Sequence, residues 1–331
     1  MIGCNRDAIM NQNNNPVHIT TGAYILNEGG FNPNTSSLSF YSYIKDSIYN
    51  NIFKPGNLGI FPDGLLRYND LLFITEQGNY GAAGKIYKCD TNGVEILSNS
   101  IGKNPYSLCI ANNKLYVTNG PANNVSVVDI NSLAVIKTIN VGIYPQEILS
   151  FGNYVYVCNT YVYGGATDST VSVIDNTTDN VVKTIIVSKS PSSIAKSRTN
   201  TIIVCCAGTS GTVYVIDPTT NNKIDSIAPV DFGKDLSVDF NSDNVYFISN
   251  SNNIIALDLN LKTVFTVIAN PNPSGAFFNG YVFDYKNKIH YVANAGDFTS
   301  KGFLYIYDFY GNLLNSFQIG VSPRRILLNS Q

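Results

Sequence analysis

Apolar residues along this chain fall in short alternating runs separated by Asn, Gly, Asp and Pro, the pattern of half-buried strands joined by tight turns. One stretch shows the unit most clearly. Tyr106-Ser107-Leu108-Cys109-Ile110 reads as a first strand, Asn112-Asn113 as a turn and residues 114–118 as a second strand. Residues 125–129 give a third strand and 135–141 a fourth, with Asn131-Ser132 turning between them. Comparable third strands stand at Val171-Ser172-Val173-Ile174-Asp175, Val213-Tyr214-Val215-Ile216-Asp217 and Phe303-Leu304-Tyr305-Ile306-Tyr307-Asp308. The Asp that closes these strands is expected to cap the following turn through its side chain.

The second strand of that stretch carries Tyr116-Val117-Thr118-Asn119, and echoes recur roughly every 40 to 48 residues. They are Ile25-Leu26-Asn27, Phe73-Ile74-Thr75-Glu76, Tyr156-Val157-Cys158-Asn159, Ile203-Val204-Cys205-Cys206, Phe247-Ile248-Ser249-Asn250 and Tyr291-Val292-Ala293-Asn294. Seven copies of a four-strand unit predict an all-β fold, a seven-bladed β-propeller with four antiparallel strands per blade; the period is too long for a β-helix rung. Inner strands are expected at Pro62, Pro105, Pro145, Pro191, near Lys234, at Asn279-Gly280 and at Pro323, because a strand's first residue need not donate to the ladder. After Pro323 only one strand's length of chain remains, whereas the N-terminal part supplies three strands, 23–27, 37–41 and 48–53, and no inner one. Both termini should therefore complete one composite blade, which removes the edges an unfinished ring would expose. Residues 20–331 read as one propeller domain behind a flexible N-terminal tether, residues 1–19.

Composition narrows the partners. Charged residues make up 13% and the formal net charge is -2, so no basic field exists to neutralise a phosphate backbone, and no nucleic acid is expected. No apolar run is long enough to span a bilayer. Cys89, Cys109, Cys158 and Cys205 fall inside the expected strands, where a small apolar side chain suits a core; Cys158 and Cys205 hold equivalent positions in neighbouring blades, which leaves a disulfide between them open. Paired Cys or His at ligand spacing is missing, so neither a metal nor a cofactor is expected. Met1-Ile2-Gly3-Cys4 resembles the end of a bacterial lipobox, which implies lipidation of Cys4 and membrane attachment through that anchor alone. The competing explanation is a chance Cys near a disordered end.

With Tyr116-Val117-Thr118-Asn119 as the namesake motif, the chain resembles the seven-bladed YVTN-type propellers. The opening Tyr24-Ile25-Leu26-Asn27-Glu28-Gly29-Gly30, then Ser36-Ser37-Leu38-Ser39-Phe40-Tyr41, and the ending from Gly302 to Ile319, with Gly320-Val321-Ser322-Pro323 after it, resemble the surface-lipoprotein branch of Bacteroidetes-type bacteria. That resemblance implies a cell-surface, outer-membrane or periplasmic binding protein. Some members of the branch capture corrinoids; no ligand motif is identifiable here.

In a four-strand blade, the loops between strands two and three and those between blades emerge on one face around the channel. Four of the former are long, at 28–36, 76–84, 159–169 and 294–301, and extra loop length is often functional. They and the inter-blade loops bring aromatic and polar residues to that face, with Tyr80, Tyr106, Tyr144, Glu147, Tyr161, Tyr163, Phe232, Asp235, Asp297, Phe298 and Arg324 as the candidate ligand-binding set. Flat aromatic area with orienting polar groups suits a bulky uncharged ligand. Each aromatic could instead pack its own loop. Adjacent Arg324 and Arg325 should point to opposite sides of their strand, so at most one is expected to face the channel, there to clasp an anion or to pair with Asp63 or another rim carboxylate. A His relay is disfavoured, since His18 falls in the tether and His290 inside a strand. Glu28, Glu76 and Glu147 could supply paired carboxylates, although no spacing marks them.

The function these features suggest is a non-catalytic, monomeric surface propeller that binds a small or medium molecule for an outer-membrane protein partner. A protein-interaction module and a lactonase-like or lyase-like enzyme are the alternatives.

Overall fold

The structure, a computed structural model, describes residues 20–30, 34–162, 164–272 and 274–330. The alternation in sequence becomes alternation in burial, and the strands pair into seven four-stranded antiparallel sheets. Blade 1 joins Pro323–Ser330 to Thr20–Asn27, Ser37–Ser42 and Ser47–Tyr49. Blades 2 to 7 follow in chain order, with inner strands Pro62–Tyr68, Pro105–Ala111, Pro145–Phe151, Pro191–Lys196, Lys234–Val238 and Phe278–Asp284. Each inner strand contacts those of the two adjoining blades, which closes a ring. The fold is the expected all-β seven-bladed β-propeller.

Closure is made by both ends of the chain. Ile326 pairs with Ile25, Leu327 with Tyr24 and Leu328 with Ala23, so the last strand is the inner strand of the first blade. One expectation needs correction. The outer strand of blade 1 was placed at 48–53, but only Ser47–Tyr49 pairs; Asn51 then turns left-handed (φ 56°) and Phe53 enters the core, with its ring 5.4 Å from that of Tyr87.

The core lies between blades. Tyr24, Leu26 and Leu38 of blade 1 pack with Leu72, Ile74 and Tyr87 of blade 2, and clusters of the same kind fill the other gaps. The recurring tetrapeptide explains how adjacent blades are tied. Tyr116 is fully buried, and its phenol donates to the Asn176 carbonyl (3.3 Å) and to the Asp179 carboxylate of blade 4. Tyr156 reaches Asn221 of blade 5 (2.5 Å) and Tyr24 reaches the Thr91 carbonyl of blade 2 (2.8 Å) in the same way. Thr118 accepts from the Ser107 amide (3.0 Å) and donates to the Gln146 carbonyl of the next inner strand (2.7 Å). Asn119 donates to Ser126 within its own blade (2.9 Å) and fills the space left by Gly102, where a Cβ would fall 2.0 Å from the Asn119 amide oxygen.

The strand-ending aspartates cap their turns as expected: Asp129 accepts from the Ser132 amide (2.8 Å) and Asp175 from the Thr177 amide (2.8 Å). Cys158 and Cys205 are free buried thiols, as are the other described cysteines, so the disulfide left open by sequence is not formed. Residues 1–19, and with them Cys4 and His18, lie outside the described residues.

Truncation before Pro323 should leave strand Thr20–Asn27 unpaired on its inner side and open the ring. Such a chain is expected to melt well below the full-length protein and to self-associate through that edge, as read by thermal denaturation and analytical ultracentrifugation. An unchanged cooperative transition would argue against closure by the terminal strand.

Candidate functional site

Each inner strand enters its blade with one residue more than the strand it pairs with. Pro62 pairs with Glu76 but Leu65 with Ile74; Pro105 pairs with Asn119 but Leu108 with Val117. The same irregularity follows Pro145, Pro191, Lys234, Phe278 and Pro323. A bulge interrupts the two-residue alternation, so neighbours along the strand can reach the same side. The turns feeding these strands are sharply bent. Phe61, Asn104, Tyr144, Ser190 and Ser322, each preceding a proline, have φ between 44° and 58°, a left-handed conformation that costs a non-glycine residue about 1–3 kcal/mol.

Together these features aim side chains of several blades at the axis. Arg324 donates through Nη1 to both carboxylate oxygens of Asp235 (2.8 and 2.9 Å) and to the Asn279 carbonyl (3.1 Å). Arg325 donates through Nε to Asp63 (2.7 Å) and through Nη2 to Glu147, and its guanidinium centre lies 5.4 Å from the Tyr106 ring centroid. The expectation that only one arginine faces the channel is therefore wrong: the bulge at Arg324 removes the alternation on which it rested. Two consecutive residues of blade 1 thus tie together the inner strands of blades 2, 4 and 6 in an ionic floor. A cavity of about 180 Å³ adjoins it, bounded by these charges and by Ser193, Leu236, Tyr281 and Ile326.

Two more charges belong to this cluster and have no ion pair among the described residues. Lys234 donates to Asn279 Oδ1 (2.5 Å), and burial, then the nearby Arg324, lower its pKa to about 8. Glu28 accepts from Ser322 Oγ (3.1 Å); burial, then Asp63, raise its carboxyl to about 7 against the opposing pull of Arg324 and Lys234. Sequence singled out neither as a ligand contact. The signal available was their position, one after the first tetrapeptide echo and one at the head of an inner strand.

The rim above the floor is aromatic. Tyr80 and Tyr161 are 74% and 43% exposed, and Tyr144, pressed against Gly120, is half-buried. Burial raises the Tyr144 pKa, with the Tyr80 and Tyr161 phenols adding to the shift, which places the three tyrosines in one neighbourhood. In blade 7, Phe277 and Phe298 pack with ring centroids 4.9 Å apart.

Of the other candidates, Tyr106, Glu147, Asp235 and Arg324 meet in the floor. Phe232 does not join them: it ends the long strand Asn222–Phe232 fully buried against Phe247 (5.0 Å), out of reach of a ligand at the mouth. Asp297 is committed to its own loop, accepting from the Thr299 and Ser300 amides (2.9 and 2.7 Å). Tyr163 lies outside the described residues. Glu76 serves the fold, accepting from the Ile60 amide and the Tyr87 phenol (both 3.0 Å). His290 is fully buried; Nδ1 meets the Tyr281 hydroxyl (2.7 Å) and Nε2 the Phe309 carbonyl (3.4 Å), while burial lowers its pKa to about 4. Because a carbonyl only accepts, Nε2 carries the proton of the neutral ring and Nδ1 accepts from Tyr281. A larger cleft of about 380 Å³ lies between blades 1 and 2, lined by Tyr24, Phe40 and Arg67, away from these charges.

Fold and site define a seven-bladed propeller whose channel is floored by ion pairs beneath an aromatic rim. The chain belongs to the family described as a domain of unknown function, DUF5074, which matches residues 21–206. No curated protein matches it. Among solved structures it is similar to a quinonprotein alcohol dehydrogenase-like protein from Bacteroides thetaiotaomicron, with a TM-score of 0.68 and 14% identity over 94% of this chain and 79% of that one. It is also similar to the hydrazine synthase of Kuenenia stuttgartiensis (TM-score 0.67, 19% identity, 80% of this chain and 88% of that one). A candidate 6-phosphogluconolactonase from Bacteroides fragilis gives a TM-score of 0.67 at 11% identity over 93% and 98%. Identities this low carry the fold and leave the chemistry open.

Replacing Arg325 by Met leaves Asp63 and Glu147 without their cation in an enclosed site. A loss of about 3–5 kcal/mol in urea unfolding is expected, partly restored when Asp63→Leu is added. For Glu28, the raised pKa means the folded state holds the proton more tightly than the unfolded one. Its contribution is fully present below about pH 4.5, the unperturbed value, and is lost as pH rises to about 7. The stability difference between the natural chain and Glu28→Gln should therefore fall across that window, by at most about 1.4 kcal/mol per pH unit, and a flat difference would refute the assignment.

Proposed function

We propose that this chain is a non-catalytic binding propeller, held at the cell surface through Cys4, that takes a small or medium ligand into the mouth of its loop-rich face and presents it to an outer-membrane partner. The observation that carries this reading is the cluster of ion pairs at the heads of the inner strands, on the same edge of the blades as the loops that carry exposed Tyr80, Tyr161, Phe277 and Phe298, so that polar groups and flat aromatic area share one face. Binding is favoured over catalysis because Asp63, Glu147 and Asp235 are each held by an arginine, which leaves them occupied. A corrinoid is one candidate ligand, on the strength of resemblance alone.

The alternative is a lactonase-like or lyase-like enzyme. It is favoured by one group, Glu28, whose enclosed carboxyl titrates near neutrality beside Lys234.

Calorimetry of the full chain against cobalamin, a glycan set and peptides tests the binding reading. A ligand that binds should lose roughly threefold to tenfold in affinity on Tyr80→Ala, Tyr144→Ala or Tyr161→Ala, with little change in melting temperature. Turnover of a lactone that disappears in Glu28→Gln would instead establish the enzymatic alternative.

A further inference from the structure

Lys234 is the cation of this cluster that makes no ion pair among the described residues. Asp63, Glu147 and Asp235 are taken by the two arginines, whereas Nζ of Lys234 has Asn279 Oδ1 at 2.5 Å and no ion-paired carboxylate among the described residues. Asn279 is itself oriented, since its Nδ2 donates to the Pro323 carbonyl (3.0 Å) and so turns Oδ1 toward the ammonium. The next neighbour of Lys234 is flat: Nζ lies 5.2 Å from the Phe277 ring centroid, and Phe277 packs on Phe298. Both rings are partly open to solvent, at 40% and 39% exposure. A cation therefore stands at the foot of an accessible aromatic wall.

The charges around it set a condition on what can enter. Arg324, Asp235, Glu28 and Asp63 face Lys234; Asp63, Arg324 and Lys234 face Glu28, along with the Ser322 hydroxyl. With Glu28 ionised, the four carboxylates of Glu28, Asp63, Glu147 and Asp235 outnumber the three cations of Lys234, Arg324 and Arg325, and an entering anion would add a second excess negative charge in an enclosed site. With Glu28 protonated the cluster is neutral, and the entering anion brings the one excess negative charge instead of a second.

We infer that this part of the mouth binds an organic anion bearing a flat apolar ring, with its carboxylate on Nζ of Lys234 and its ring against Phe277 and Phe298, and that Glu28 takes up a proton from solvent as the anion enters. The inference rests on the binding reading above and names the ligand class. The pKa directions agree with it. With Glu28 near 7 and Lys234 near 8, the site holds an ammonium and a neutral carboxyl on the acid side and loses both as pH rises.

The experiment is calorimetry of the full chain with 2-naphthoate and its neutral counterpart 2-naphthamide, at about pH 6 and about pH 9. Naphthoate should bind about tenfold more tightly than the amide at the lower pH and lose about tenfold at the higher one. At about pH 7.5, where Glu28 starts largely ionised, the naphthoate binding heat should vary with the ionisation heat of the buffer, which reports the proton taken up. Lys234→Met should abolish the preference for the acid, and Phe298→Ala should weaken both probes. Equal binding of acid and amide, or a preference that survives Lys234→Met, overturns the inference. Should Lys234→Met fail to fold, as judged by its melting curve, the acid and amide comparison on the natural chain decides alone. Neutral ring compounds that bind and weaken on Tyr80→Ala, without any preference for naphthoate, would leave the binding reading standing and this inference refuted. Absence of binding by every probe would remove both.

Discussion

The extra residue at the head of each inner strand is the constraint on which the site depends. A regular ladder would send alternate side chains to opposite faces of the strand, and Arg324 and Arg325 could not both meet the axis. The bulge lets them reach Asp235 in blade 6 and Asp63 and Glu147 in blades 2 and 4. These arginines ride on the same strand that closes the ring, Pro323–Ser330 paired to Thr20–Asn27. Closure of the wheel and assembly of its floor are thus one event: until the C-terminal strand docks, three carboxylates gathered at the axis lack their cations.

That coupling explains why so many charges sit together in a chain with few of them. Burying an unpaired carboxylate costs several kcal/mol, and a ring of inner strands converging on an axis offers little water to share that cost. Five of the charges are ordered into ion pairs. Glu28 and Lys234 are the remainder, and the consequence is visible in their titration, both shifted toward neutrality by burial. The same crowding sets Lys234 against the exposed ring of Phe277, so the electrostatic residue of folding is also the most chemically responsive part of the mouth.

Much of the architecture was legible in the sequence, because a period set by Tyr, Val, Thr and Asn has direct physical counterparts. Tyr116 and Tyr156 tie one blade to the next, Thr118 bridges successive inner strands, and the prolines at 62, 105, 145, 191 and 323 each open an inner strand where expected. The site was less legible. Strand alternation misdirected the assignment of Arg325, since a bulge leaves no mark in composition. Phe232 looked like a loop residue because nothing in its neighbours announces that strand Asn222–Phe232 runs to that length and buries it against Phe247. The titration of Glu28 and Lys234 was illegible for a related reason: it comes from burial and from groups distant in sequence, Asp63 and Arg324 above all, which meet only when the ring is closed.

The bulge-directed floor is tested most directly by a double-mutant cycle on Arg324 and Asp235, using Arg324→Met and Asp235→Leu singly and together in equilibrium unfolding. For a close, enclosed charge pair the account expects a coupling energy of about 1.5 kcal/mol or more, with the double variant more stable than the sum of the single losses implies. Additive losses, with no coupling between the two positions, would contradict it.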